Sequence, residues 1–266
     1  MTFDASNAAL GFQRVDAAYG PYRALFGVTF GVPTSGVKAL LGSNGAGKST
    51  VARVASGLIP VVSGAITVAG TDVTARSTHQ IARLGLAHVP EGRGVFADLS
   101  VEENLVLLLR QRVGRRRVAE CLGRAYDAFP ILKERRRQRA GLLSGGQQRL
   151  LSLANVLVAP PVVLIADELS LGLAPTVVDA VYDGLREINR AGCALVVVEQ
   201  QTDRVLDLAT EAIVLEHGQV VYDGDPGGAV GVLERVLAAR GEREQLVSSH
   251  HELSSNGRAP NAANEH

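Results

Sequence analysis

The nine residues GSNGAGKST, residues 42–50, match the phosphate-binding pattern GxxxxGK[ST] at every fixed position. An apolar run at residues 37–41 precedes them as a predicted strand, and residues 49–56 are predicted to form a helix that ends before Gly57. Glycines let successive backbone N–H groups close around phosphates, and a helix N-terminus adds a favourable dipole. Strand, loop and helix in this order predict triphosphate binding rather than an ordinary glycine-rich turn.

The composition excludes several other classes of protein. The 27 basic and 27 acidic side chains cancel, so nothing in the overall charge indicates a nucleic-acid partner. Cys121 and Cys193 lie far apart in sequence and are expected to be free thiols rather than a metal site or a disulfide. The opening residues MTFDASNAALGF lack the features of a signal peptide, and no apolar run approaches the roughly 20 residues of a membrane span. We therefore expect no membrane-spanning segment in this chain.

The pattern of strands and helices predicts an α/β fold. Residues 12–19 and 25–32 are predicted to be strands joined at Gly20-Pro21, and residues 212–224 a hairpin that turns at His217-Gly218. Residues 92–141 carry twelve basic and six acidic side chains and no strand pattern, which indicates a helical insertion. We predict a P-loop NTPase core with a mixed or parallel sheet, an antiparallel N-terminal β part and an inserted helical subdomain.

A second motif, VVLIADE at residues 162–168, is an apolar strand that ends in two acids. At a strand tip opposite the phosphate loop, Asp167 would hold the hydration shell of Mg²⁺, and Glu168 would polarise the attacking water as general base. In the loop itself, Lys48 would reach the β- and γ-phosphates and Ser49 would coordinate Mg²⁺. The alternative is a buried strand with acids at its solvent edge.

A third motif, LSGGQQR at residues 143–149, predicts a second helix start suited to an anion. Ser144, Gly145 and Gly146 open a helix that is predicted to run from Gln147 to about Ala159. One ATP does not need two such helix starts, so these residues are expected to contact the γ-phosphate held by a second subunit. A Ser-Gly-Gly helix start without any ligand is the alternative.

With these three motifs in order, residues 12 to about 240 resemble the ATP-binding-cassette family. The resemblance implies a RecA-like nucleotide-binding core with a β subdomain at residues 1–90 and 151–240. It further implies a helical signature subdomain at residues 91–150, followed by a disordered polar tail at 241–266. Tyr19 falls where an aromatic ring stacks on adenine, with a core or turn tyrosine as the alternative. The nucleotide-contacting residues implied in this way are Tyr19, Gly42, Ser43, Asn44, Gly45, Ala46, Gly47, Lys48, Ser49, Thr50, Ser144, Gly145, Gly146 and Gln147.

The chain departs from the family pattern at two positions of the site. VPEGR places Glu91 where a glutamine usually contacts Mg²⁺ and water, and VVEQQ places Gln200 where a histidine usually contacts the γ-phosphate. Gln200 can still donate a hydrogen bond, but a neutral donor stabilises a phosphate less than a charged one. The histidines that precede the tail, at positions 79, 88 and 217, do not follow this strand, so none is expected to substitute locally.

Two smaller departures lie in the stretch DELSLGLAP, which has Ala174 in place of an acid and Leu169 in place of a proline. Together with VPEGRGVFADLSVEENL and VVVEQ, this stretch is similar to one of the two ATP-binding subunits of bacterial branched-chain amino acid importers. That resemblance implies ATP and Mg²⁺ as cofactors and catalytic roles for Glu168, Gln200 and Glu91. It implies as partners a second ATPase subunit (different or identical), integral membrane permease subunits and, indirectly, a solute-binding protein. It implies peripheral attachment at the cytoplasmic face of the bacterial inner membrane.

Other functions stay open at the level of sequence. Importers of urea or amides use closely similar ATPases, and the residues at positions 91 and 200 also suit a weakly hydrolytic regulatory cassette. A DNA-repair cassette fits poorly, since the roughly 95 residues between Lys48 and Ser144 leave no room for a long coiled-coil arm. The arginine triplets at 115–117 and 135–137 could face lipid headgroups or a membrane subunit, or form a solvated helical surface. The tail histidines His250, His251 and His266 are not expected to bind a metal.

Overall fold

The computed structural model describes residues 8–90, 94–199 and 202–239. The strands are β1 Ala8–Tyr19, β2 Tyr22–Pro33, β3 Val37–Gly42, β4 Val61–Val68, β5 Thr71–Asp72, β6 Leu86–Val89, β7 Val163–Asp167, β8 Ala194–Val198, β9 Glu211–Glu216 and β10 Gln219–Gly224. The helices are α1 Lys48–Ala55, α2 Thr78–Arg83, α3 Val101–Val113, α4 Val118–Ala128, α5 Pro130–Glu134, α6 Gly145–Leu157, α7 Pro175–Arg190, α8 Thr202–Leu208 and α9 at residues 226–239.

Six of the strands form a sheet in the order β10-β9-β3-β8-β7-β6. β3 pairs in parallel with β8 and β9, β7 pairs in parallel with β6 and β8, and only the β9–β10 hairpin is antiparallel. The carboxyl ends of β3, β8 and β7 therefore meet at one edge of the sheet, where open α/β sheets bind their ligands. This order places β8 between the strand that leads into the phosphate loop and the strand that ends at Asp167.

A second sheet is antiparallel throughout and has the order β2-β1-β4-β5. β1 and β2 meet at a turn through Gly20 and Pro21, and β4 turns into β5 through Ala69 and Gly70, which both have positive φ. Positive φ at both central residues gives a turn whose twist matches that of the flanking strands. The predicted α/β fold with a mixed sheet and an antiparallel N-terminal part is confirmed.

The core lies on both faces of the six-stranded sheet, because successive side chains of a strand point to opposite faces. In β7, Val163 and Ile165 pack with α1, α2 and the four-stranded sheet, whereas Leu164 and Ala166 pack with helices α3 to α7. The inserted helices thus share a continuous core with the far face of the sheet. The division of the chain into domains stays a prediction.

The start of α6 also differs from the predicted one, because the helix begins at Gly145 rather than Gln147 and ends at Leu157. Its N-cap is Ser144, whose hydroxyl accepts from the Gln147 N–H, while the Gln147 side chain accepts from the Ser144 N–H. This reciprocal pairing satisfies two backbone donors and overrides the low helix propensity of the two glycines. No helix among the described residues combines the length and the apolarity needed to cross a bilayer.

Candidate active site

The phosphate loop connects the end of β3 to the start of α1. Gly42, Gly45 and Gly47 have φ values of 149°, 79° and 106°, which side-chain-bearing residues rarely adopt. A Cβ at Gly42 would lie 2.4 Å from the carbonyl oxygen of Leu215, whereas a Cβ at Gly45 would meet no atom within 4 Å. The loop is therefore packed against β9 at its start and open at Gly45.

The side chain of Lys48 spans this loop. Its ammonium donates to the carbonyl oxygens of Gly42 at 2.9 Å and Ser43 at 3.1 Å, and only 5% of the residue is exposed. Lys48 is thus fixed to the backbone of the loop, and it also lines the cavity described below. An ammonium carries three N–H donors and acts as a point charge toward phosphate oxygens.

The β9–β10 hairpin is hydrogen-bonded to the phosphate loop. Gly218 donates from its N–H to the Ala46 carbonyl at 2.9 Å and accepts from the Phe26 N–H at 2.9 Å. A Cβ at Gly218 would lie 2.2 Å from the carbonyl oxygen of Ala24, so only glycine fits this position. The hairpin turn is therefore part of the structure that fixes the phosphate loop.

A cavity of about 590 Å³ lies beside the phosphate loop. It brings together the predicted aromatic residue, most of the phosphate loop and the predicted general base, which are distant in sequence. The lining residues are Tyr19, Arg23, Ala24, Phe26, Asn44, Gly45, Gly47, Lys48, Ser49, Thr50, Arg53, Glu168, His217 and Gly218. Residues from four parts of the chain thus surround one volume of a size typical of small-ligand sites.

Tyr19 lies at the rim of this cavity with 43% of its surface exposed. Its hydroxyl lies 3.4 Å from Thr50 Oγ1 and accepts a hydrogen bond of 3.3 Å from Arg53. These contacts fix the polar end of the side chain against α1, and its exposure excludes the core-tyrosine alternative. The ring can therefore offer a flat apolar face to a planar group beside the loop.

Asp167 ends β7 and is almost fully buried, with 3% exposed. Its Oδ2 lies 3.9 Å from His88 Nε2, and within the described ranges neither Asp167 Oδ1 nor His88 Nε2 has a hydrogen-bond partner. An unsatisfied carboxylate oxygen at a strand tip fits a hard cation such as Mg²⁺, which prefers oxygen ligands. The described part of the chain contains no cluster of three or more His, Cys, Asp or Glu that could hold a metal alone.

Glu168 occupies a left-handed turn with φ of 49°, a conformation that costs a non-glycine residue about 1–3 kcal/mol. Its N–H donates to the Val198 carbonyl at 2.9 Å, and its own carbonyl accepts from the guanidinium of Arg149 in α6. The turn thus joins the tips of β7 and β8 to the helix that follows LSGGQ. Sequence reasoning did not find Arg149, although it belongs to the quoted motif.

A buried serine–glutamate pair holds the next part of this turn. Glu199, directly after β8, accepts from the Ser170 N–H at 3.0 Å and from the Ser170 hydroxyl at 2.7 Å. Both residues are at most 5% exposed. Burial raises the pKa of Glu199, and the two hydrogen bonds from Ser170 oppose that rise. Sequence reasoning also missed this pair, whose only signal was an acid among the apolar residues of VVVEQ.

The signature residues do not share the cavity. Ser144, Gly145, Gly146 and Gln147 are absent from its lining, and the side chains of Ser144 and Gln147 form the capping box of α6. A Cβ at Gly145 would meet no atom within 4 Å, whereas one at Gly146 would lie 2.9 Å from Val177. Within one chain, these residues and the phosphate loop therefore form separate surfaces.

Two predicted residues, Glu91 and Gln200, lie outside the described residues. His217, which the sequence analysis did not assign to the site, lines the same cavity as Lys48 and Glu168. The tip of the β9–β10 hairpin carries it there, since Gly218 is bonded to the phosphate loop. No local sequence pattern predicts this contact, which depends on the pairing of β9 with β3.

Known proteins are similar to this chain in sequence and in structure. The family described as ABC transporter matches residues 25–170, more than half of the chain. The high-affinity branched-chain amino acid transport ATP-binding protein BraG of Pseudomonas aeruginosa is 37% identical over 83% of this chain and 94% of its own length. A probable branched-chain amino acid transport ATP-binding protein, LivF of Archaeoglobus fulgidus, is 32% identical over 79% and 89%.

A solved structure of an ATP-binding subunit of an ABC transporter superposes with a TM-score of 0.75 and 25% identity, covering 82% of this chain and 90% of the other. The agreement in sequence and in fold leads to one assignment. The chain belongs to the ABC transporter family and is an ATP-binding subunit with ATPase activity.

Proposed function

We propose that this chain hydrolyses ATP at the cavity beside the phosphate loop and thereby powers the import of branched-chain, hydrophobic amino acids. The observation that carries the proposal is that Glu168 lines the same cavity as Lys48 and Ser49. The solute follows from the two similar transport proteins, whose names both specify branched-chain amino acids.

The nucleotide would lie with its base at the rim and its phosphates at the loop. Tyr19 stacks on adenine, since its ring is exposed and its hydroxyl is fixed against α1. Backbone N–H groups of the loop and the N-terminus of α1 surround the phosphates, with Lys48 at their centre.

Ser49 and Asp167 would hold Mg²⁺, through the Ser49 hydroxyl and the carboxylate of Asp167. When bound, the ion supplies positive charge that offsets the charge of the phosphate oxygens. Asp167 fits this role because its Oδ1 is buried without a hydrogen-bond partner from the described residues.

Glu168 acts as general base toward the water that attacks the γ-phosphate. Its carboxylate would accept the proton of that water, and its position is set by the left-handed turn that Arg149 and Val198 hold. Gln200, in place of the usual histidine, and Glu91, in place of the usual glutamine, would complete the environment of the γ-phosphate.

A second cassette completes the site. Because the signature residues lie apart from the cavity of their own chain, they are available to the nucleotide of a partner in a head-to-tail pair. The partner cassette would be a different ATPase subunit or a second copy of this chain. Closure around two nucleotides would move the helical segment and, with it, integral membrane permease subunits at the cytoplasmic face of the inner membrane. A solute-binding protein would deliver the amino acid to these permeases.

The test is uptake of labelled leucine, isoleucine and valine by cells of the source organism that carry Glu168→Gln. We expect uptake to collapse and to be restored by the wild-type chain. Glu187→Gln makes the same chemical change on the exposed face of α7 and should leave uptake unchanged. Unchanged uptake with Glu168→Gln, in a strain without a redundant importer, would contradict the solute assignment and favour urea, amides or another small solute.

A further inference from the structure

We propose that Glu199 is a positioning residue for ATP hydrolysis, which fixes the turn at residues 168–171 through Ser170. We call this segment the catalytic turn. The inference rests on the proposed role of Glu168 as general base, and it assigns to the chain a second buried acid that acts on the first through the backbone.

The position of Glu199 in the fold gives it this contact. β7 and β8 are neighbours with Asp167 paired to Val198, so the residues that follow each strand emerge side by side. Glu199 reaches across this edge with both carboxylate oxygens, one to the Ser170 N–H and one to the Ser170 hydroxyl. The same residue directly precedes position 200, where the family places its γ-phosphate contact.

The catalytic turn needs such support because its conformation is unfavourable. Glu168 has a φ of 49°, and residues in such regions persist only where their surroundings over-determine them. Arg149 and Val198 fix the backbone of Glu168 itself, while Glu199 fixes the turn two residues later. Besides Glu199, two backbone hydrogen bonds within the turn hold the residues beyond Glu168, from the Leu171 N–H to the Glu168 carbonyl at 3.4 Å and from the Leu173 N–H to the Ser170 carbonyl at 3.2 Å.

The charge of Glu199 supports a specific role rather than simple filling of space. A carboxylate that is 3% exposed is costly to bury, and the charge of Glu168 adds to that cost. Arg149 offsets part of it, and Tyr182 of α7 also interacts with Glu199. A buried serine–carboxylate pair fixes one geometry, because its loss leaves both partners unsatisfied.

The first measurement is ATP hydrolysis by the full-length chain with Glu199→Ala, Ser170→Ala and both substitutions together. We expect each single substitution to lower kcat roughly 10- to 100-fold, since small displacements of a catalytic group have effects of this size. KM for ATP should change less than about twofold, because the nucleotide contacts stay intact. The double variant should be no slower than the singles, as expected for one shared contact. Ser170→Thr keeps both donors and should retain most of the activity.

A matched control uses a second serine–glutamate pair among the described residues, Ser100 and Glu103 at the start of α3. Here the serine N–H and hydroxyl also donate to a glutamate, both at 2.8 Å, but the pair caps α3 instead of holding the catalytic turn. Glu103→Ala should leave kcat unchanged while removing a helix cap. Comparing kcat of Glu199→Ala with kcat of Glu103→Ala shows whether a loss of activity comes from displacement of the catalytic turn or from a general loss of stability.

A second measurement reports on the conformation of the catalytic turn and does not depend on ATP hydrolysis. The chain contains no tryptophan, so Leu171→Trp, at a position that is 43% exposed, introduces a single reporter. We expect Glu199→Ala to increase acrylamide quenching of this tryptophan and Glu103→Ala to leave it unchanged. If Glu199→Ala does not fold, Glu199→Gln and Ser170→Ala replace it. In these variants too, kcat should fall and acrylamide quenching should rise.

Wild-type kcat or unchanged quenching in folded Glu199→Ala, Glu199→Gln or Ser170→Ala would overturn the inference. Glu168→Gln, measured in parallel, tests the proposed function separately. If Glu168→Gln is inactive while Glu199→Ala hydrolyses at the wild-type rate, the inference alone is wrong. If Glu168→Gln itself hydrolyses at the wild-type rate, the proposed function is wrong as well.

Discussion

The ammonium of Lys48 donates a hydrogen bond of 2.9 Å to the carbonyl oxygen of Gly42, the residue that ends β3. With the second bond to Ser43, this contact closes the phosphate loop around a single positive charge. The loop is thus organised by the same side chain that we propose to bind the phosphates. Loss of Lys48 should therefore affect both the loop and the ligand.

We expect Lys48→Ala to remove most ATP binding, lowering affinity at least about 100-fold, because a charge-assisted contact and the order of the loop are lost together. Titration calorimetry with ATP measures this directly. Lys133→Ala removes a lysine from the exposed surface of α5 and should leave affinity unchanged. Binding of ATP by Lys48→Ala within a few-fold of wild type would contradict the role given to this residue.

A second lysine, Lys38 in β3, has a structural role. Its ammonium is buried and contacts Glu211 at 2.9 Å and Asp223 at 2.7 Å, which joins three neighbouring strands. We expect Lys38→Ala to lower the free energy of unfolding by about 2 kcal/mol, less than for a fully buried pair because both carboxylates are partly exposed. Urea denaturation measures the change. A loss under about 0.5 kcal/mol, the usual range for a surface position, would contradict this role.

Asp16 should make stability depend on pH in acid. The Arg23 guanidinium, the Ser63 hydroxyl and the Gly27 N–H, in that order, lower the pKa of Asp16 from 3.8 to about 2. The lowered pKa belongs to the folded state, so the stabilisation is present above about pH 4 and is lost as the pH falls toward 2. Comparing denaturation of wild type and Asp16→Asn between pH 2 and 5 should show a difference that shrinks with acid. A difference independent of pH would contradict the assignment.

Much of the fold could be predicted because local signals agree with the tertiary structure. β1 and β2 are joined at Gly20-Pro21 and the β9–β10 hairpin turns at His217-Gly218, both as expected. α6 was misplaced by two residues because glycines were interpreted as a loop, whereas the Ser144–Gln147 capping box sets its start.

Residues of the candidate site could be predicted only where they belong to one short sequence motif. The phosphate loop and the acids of β7 belong to that class, since their spacing along the chain reflects their geometry. The Ser170–Glu199 pair spans 29 residues and exists because β7 and β8 are neighbours in the sheet. His217 reaches the cavity only because β9 pairs with β3. Both contacts depend on strand order, which no local pattern specifies.

The most direct test of the account is ATP turnover by Glu168→Gln, measured together with its oligomeric state by light scattering. We expect turnover to fall at least about 100-fold, the contribution of a general base, while ATP binding is retained. An ATP-dependent dimer should accumulate, because the closed pair can no longer reopen by hydrolysis. Hydrolysis at the wild-type rate would contradict the assignment of Glu168 and, with it, the mechanism proposed for this cavity.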